Sequence, residues 1–188
     1  MRAKALGAVL LLAVPAVALA ATRLDDRDDS AGAVDLSSVQ ASHNRVSDEL
    51  VYAIDLHEEI TPRTLLRRDG PPGSICVNLW TTRRPGEAAP NYDACITSEP
   101  RGRRFRASVA SHGATGGVRR VGRAKVEQPA PTRLVLRIDP DRIKRPKAVR
   151  WTVQAVAFSS GCPSVTGCED YVPDRPKSAQ TELRAPRG

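Results

Sequence analysis

The chain has 188 residues, with 29 Lys+Arg against 21 Asp+Glu, a formal net charge of +8 and only 4% aromatic residues. That length suits one globular domain and excludes two full-sized ones. The composition excludes a collagen-like or multi-span membrane chain, and the 27% charged content argues against wholesale disorder.

Residues 1–20 read as a secretory signal peptide. Arg2 and Lys4 form a basic start, an apolar run follows from Ala5 to Val17, and Ala18-Leu19-Ala20 supplies a small-x-small cleavage pattern. The run is shorter than the ~20 residues a membrane span needs. The mature protein is therefore expected to be exported, to the cell envelope or the medium, with no transmembrane segment. Losing Arg2 and Lys4 lowers the charge by two, to +6. The basic excess thus belongs to the working protein and favours polyanions such as wall polymers or acidic glycans. Arg supplies 24 of the 29 bases, which also matches the codon bias of a GC-rich genome.

Residues 21–33 are polar and read as a flexible leader; the run Asp25-Asp26-Arg27-Asp28-Asp29 reads as a solvated tail rather than a cation site. From Val34 a period of two dominates, the signature of half-buried strands. Strands are predicted at Val39–Asn44 and at Glu49–Leu56, where Leu50, Tyr52, Ile54 and Leu56 share a face. Ser74–Thr82 and Tyr92–Thr97 follow. Folded as an antiparallel hairpin with Cys76 opposite Cys95, they set Val77 against Ala94, Asn78 against Asp93 and Leu79 against Tyr92. Arg104–Val109 points Phe105, Ala107 and Val109 inward. In Val118–Gln128, Val121 and Val126 share a face only across a bulge, for which Gly122 is the natural place. Thr132–Ile138 is a clean strand. Asp139-Pro140-Asp141-Arg142-Ile143 is a helical turn with Asp139 as cap and Pro140 at its first position. Val149–Phe158 is expected to be the longest strand, with an apolar face, and 173–188 reads as a disordered tail.

Export makes disulfides the expected state of the four cysteines. Three pairings are possible, and the pattern favours Cys76–Cys95 and Cys162–Cys168. The expected fold is all-β: a single antiparallel β-sandwich over 34–172, of about eight strands with one short helical turn and two disulfides.

Three stretches carry a resemblance. They are Asp35–His43 leading into Glu49–Leu56; Leu134–Ile138 with Pro140–Ile143 and Val149–Val153; and Cys168–Asp174, with its Asp-x-x-Pro-Asp ending. They are similar to secreted β-sandwich domains of GC-rich Gram-positive bacteria, related in architecture to DOMON and family 9-like carbohydrate-binding modules. The resemblance implies a fold more firmly than a ligand. Such proteins carry an Asp-rich turn suited to calcium between the third and fourth strands. Here residues 81–91 offer one Glu and two Arg, so no calcium site is carried over. Sugar-binding modules also use exposed aromatics, and Trp80, opposite the Val77–Leu79 face, is the candidate stacking residue.

No Gly-x-Ser-x-Gly elbow, cysteine–base pair or cofactor motif is present. His43, His57 and His112 are scattered and read as surface or strand-end residues, and Ser111-His112-Gly113 reads as a loop. No metal site, no cofactor and no enzymatic activity are expected. The basic residues have more order: Arg104 and Arg106, Arg123 and Lys125, and Arg133 and Arg137 each project from one side of a strand. If the strands are neighbours, they form one basic binding face. Nucleic acid is not an expected partner, because no aromatics interleave with the arginines. The first functional reading is a non-catalytic module binding an envelope polyanion or glycan. The alternative is a protease-inhibitor-like protein presenting Cys162–Cys168 or the Arg83-Arg84-Pro85 tip.

Overall fold

A computed structural model describes residues 21–183, apart from 31, 33, 68–69, 82–88, 114–115, 159–161, 164–165 and 175–176. Residues 1–20, expected to be a signal peptide, and the Arg83-Arg84-Pro85 tip lie outside the described residues. The eight predicted strands are all present: β2 (Leu36–Asn44), β3 (Glu49–Leu56), β4 (Ser74–Trp80), β5 (Tyr92–Ser98), β6 (Phe105–His112), β7 (Val118–Ala130), β8 (Arg133–Ile138) and β9 (Ala148–Ala157). Three short strands join them: β1 (Thr22–Asp25), β10 (Cys168–Val172) and β11 (Ala179–Glu182). The polar leader and the tail are thus partly built into the fold, and the described residues form eleven strands rather than about eight. Beside the expected turn at Pro140–Ile143, a second 3-10 turn forms at Pro62–Leu65. Asp139 caps the former by accepting the Asp141 N–H at 3.0 Å.

All pairings are antiparallel, in the order β1-β2-β3-β8-β7-β6-β5-β4-β9-β10, with β11 also on β9. β10 and β11 share one edge of β9 in succession: Cys168–Val172 runs along Val153–Ala157, and Ala179–Glu182 along Ala148–Trp151. β7 turns the corner of the sheet. Its first half pairs with β6 and its second half with β8. The two ends of the strand order then approach each other. Thr22 donates to the Gln180 carbonyl at 3.0 Å, and the Leu36 N–H donates to Asp170 Oδ2 at 2.6 Å.

Alternation explains the core. One side of every long strand is apolar, and the curved sheet turns that side inward. Tyr52 on β3 and Trp151 on β9, both fully buried, meet edge to face with ring centroids 5.6 Å apart. The β4–β5 hairpin has the predicted register, with Cys76 opposite Cys95. Both predicted disulfides are present, Cys76–Cys95 and Cys162–Cys168. The bulge is also where the residues place it: Val109 faces Gly122 and Ala110 faces Arg120, leaving Val121 as the extra residue. Val121, Ala124 and Val126 consequently pack on the core side.

Candidate functional site

The β6–β7 pair presents the least compensated positive charge. Ser108 faces Arg123 across the ladder, and Ala110 faces Arg120. The bulge reverses the parity of β7, so Arg120 and Arg123, an odd number apart, both project outward. Arg106 leaves β6 on the same side and donates from Nε to Thr97 Oγ1 at 3.1 Å. Arg104 is exposed just before β6. None of Arg104, Arg106, Arg120 and Arg123 has a carboxylate partner among the described residues.

The rest of that outer face is built from short side chains. One ladder row runs Gln154, Cys76, Cys95, Ser108 and Arg123. The next runs Thr152, Asn78, Asp93, Ala110 and Arg120. Each row crosses four strands at little height and ends in a guanidinium. Same-face residues on one strand stand about 7 Å apart, so the row ends form a regularly spaced basic rim. Trp80 lies on this face as expected, opposite Arg150 on β9. It is half-buried, and the Arg150 guanidinium sits 5.7 Å from its ring centroid.

The six predicted basic residues do not form one free face. Lys125 pairs with Glu49 at 2.7 Å, Arg133 holds both oxygens of Asp55, and Arg137 lies 3.5 Å from Glu127. Arg133 holds the Asp55 carboxyl below the usual carboxylate range, with Ser38 helping and burial opposing. Lys125 does the same for Glu49. These cations are therefore neutralised by neighbours on β3 and β7, and Arg104, Arg106 and Arg123 remain as the unpaired half of the set. Arg120 was not among the six, although the Gly122 bulge already implied its outward parity.

The nearby pocket at the ends of β3 and β8, about 430 Å³, is likewise mixed in sign. There Arg145 bonds Asp48 at 2.6 Å and Asp141 at 2.9 Å. His43 lies at the end of β2, as the strand-end reading expects, but it is buried rather than on the surface and meets Asp48 at 2.9 Å. Ser111 and His112 are also not a loop but the last two residues of β6. His112 meets Asp93 at 2.9 Å on the outer face, whereas Ser111 donates to the Arg119 carbonyl at 3.3 Å. Adjacent strand residues point to opposite faces, so this serine and this histidine do not form a nucleophile–base pair. A second pocket of about 430 Å³ adjoins them, lined by Thr81, Asn91, Arg119 and Lys144 among others.

No protein-family model matches this chain, and no similar curated protein or solved structure is found.

Proposed function

We propose that the chain is an exported, non-catalytic β-sandwich module that binds an acidic polymer of the cell envelope or extracellular space. Arg106, Arg120 and Arg123 are the contacting cations, and Arg104 extends them along the edge. The observation that carries the reading is a row-ended set of exposed guanidiniums with no carboxylate partner among the described residues, beside a sheet face built largely of short side chains. Guanidinium forks suit phosphate and carboxylate groups, and a low face lets an extended polymer lie across several rows. Two disulfides support an oxidising compartment, and no helix among the described residues is long and apolar enough to cross a membrane. Trp80, with its ring partly covered by Arg150, offers a stacking surface if the polymer carries sugars.

The test is cosedimentation of residues 21–188 with purified bacterial cell wall over a salt series. Binding is expected to fade steeply as salt rises. The double charge reversal Arg120→Glu with Arg123→Glu should weaken it by about tenfold or more, the loss of two charge-assisted contacts. The same reversal at Lys125 should cost much less, because its charge is already matched by Glu49. Absence of binding at low salt, or equal losses from both variants, would sink the arginine-rim reading.

A further inference from the structure

At the opposite edge of the sheet the charge is reversed. Carboxylate oxygens of Asp29, Asp35 and Asp170 all lie within 4.8 Å of one another. They come from three places: the loop after β1, the entry to β2, and β10. Asp35 and Asp170 are buried, at 4% and 6% exposure. Asp35 Oδ1 is enclosed and has no hydrogen-bond partner among the described residues, and neither has Asp26 Oδ2 nearby. Asp170 is held rigidly: Oδ2 accepts the Leu36 N–H at 2.6 Å and Oδ1 accepts the Tyr171 N–H at 2.7 Å. No Lys or Arg ion pair reaches any of these carboxylates among the described residues.

We propose that Asp29, Asp35 and Asp170 form a calcium site that ties the leader and the start of β2 to β10. Oxygens bound to one calcium at about 2.4 Å lie no more than about 4.8 Å apart, and the three carboxylates fall within that limit. The donors are all carboxylates, with neither imidazole nor thiolate, so the set favours a hard cation over zinc, copper or nickel. Calcium tolerates an irregular ligand set drawn from separate segments, whereas magnesium demands near-octahedral geometry and keeps its water. The buried, unpartnered Asp35 oxygen is what separates this cluster from an ordinary acidic surface, because an enclosed acceptor without a donor is costly. The electrostatics agree. Burial, with the Asp28 and Asp170 carboxylates beside it, pushes Asp35 up to about 6. Burial and Asp170 push Asp26 up to about 6 as well, and burial raises Asp170. A divalent cation would remove this conflict. The leader is positioned for the task, since an added Cβ at Gly32 would sit 2.8 Å from Cys168 Cβ.

The experiment is calorimetric titration of chelator-treated protein, residues 21–188, with calcium chloride, paired with thermal denaturation in calcium and in EDTA. One calcium per chain and a higher melting temperature in calcium are expected. Asp29→Asn tests the exposed ligand without disturbing packing, and should weaken calcium binding by about tenfold or more while leaving the EDTA melting temperature no lower, because Asp29 is one of the charges that repel Asp170 and Asp26. Asp35→Asn should abolish the calcium-dependent shift. No heat and no melting shift up to ~10 mM calcium, well above the range of weak extracellular sites, would overturn the proposal, as would binding unaltered by Asp29→Asn. The arginine rim plays no part in this outcome, so the two proposals stand or fall separately.

Discussion

Asp55 illustrates how single residues on this sheet exchange charge with their neighbours. It sits on β3 opposite Arg133 of β8 and takes both guanidinium donors, while Ser38 of β2 donates to the same carboxylate at 3.0 Å. Arg133 keeps its carboxyl below the ordinary value of 3.8. A carboxyl depressed in the folded state stabilises the fold above its unfolded pKa, and the contribution is lost as pH falls through the folded value. The stability difference between wild type and Asp55→Asn should therefore be about 1 kcal/mol at pH 7, discounted because Arg133 is 44% exposed, and should shrink towards zero below about pH 4. Urea denaturation of both proteins at several pH values measures it. A difference that grows on acidification would contradict the sign. The pairing itself was not legible in the chain. Arg133 and Asp55 are 78 residues apart, and only the β3–β8 pairing makes them neighbours.

The element scale separates what local pattern could reveal from what it could not. The β4–β5 hairpin was readable because its alternation, its cysteine pair and its apolar face all impose one register. The bulge in β7 was readable because two valines an odd number apart must both be buried. β1 and β11 carried no such signal: each is four residues long and largely polar, reading TRLD and AQTE. They become strands because β2 and β9 offer open edges. β11 also supplies a specific contact, since the buried Trp151 Nε1–H donates to Thr181 Oγ1 at 3.0 Å. Replacing Thr181 by Val keeps the shape and removes the acceptor. It should cost about 1–3 kcal/mol, the penalty for an enclosed donor left unpaired. A thermal shift near zero would show that the C-terminal segment leaves β9 in solution.

At the scale of the molecule, stability rests on one apolar interior enclosed by a sheet that bends at β7 and nearly meets itself. Trp151 is the largest fully buried side chain, and its contact with Tyr52 links β9 to β3 on the far side of the core. Trp151→Ala should therefore destabilise the whole fold, by about 3–5 kcal/mol, in a single cooperative transition followed by denaturant unfolding. Two separate transitions would mean that the halves on either side of β7 fold independently. The closing edge, with Asp170 bonded to the Leu36 N–H, is also where the proposed calcium site lies. The arginine rim lies along β6 and β7, on the other side of the strand order. The two charged features are therefore held by different parts of one sheet.

Periodicity by itself determined the all-β class, eight of the strands, the bulge and the hairpin register with its Cys76–Cys95 pair, and the short separation of Cys162 and Cys168 pointed to the second disulfide. All of these depend on residues close in sequence, where side-chain parity and turn chemistry act directly. Tertiary structure alone decided which charges cancel. Strand order places Glu49 against Lys125 and Asp55 against Arg133, while leaving Arg120 and Arg123 without a carboxylate partner among the described residues. It also gathered the exposed Asp29 and the buried Asp35 and Asp170, the last two 135 positions apart in the numbering, into one cluster. Coulomb interactions depend on distance in space and on burial, and neither is written in a chain until its strands have chosen their neighbours.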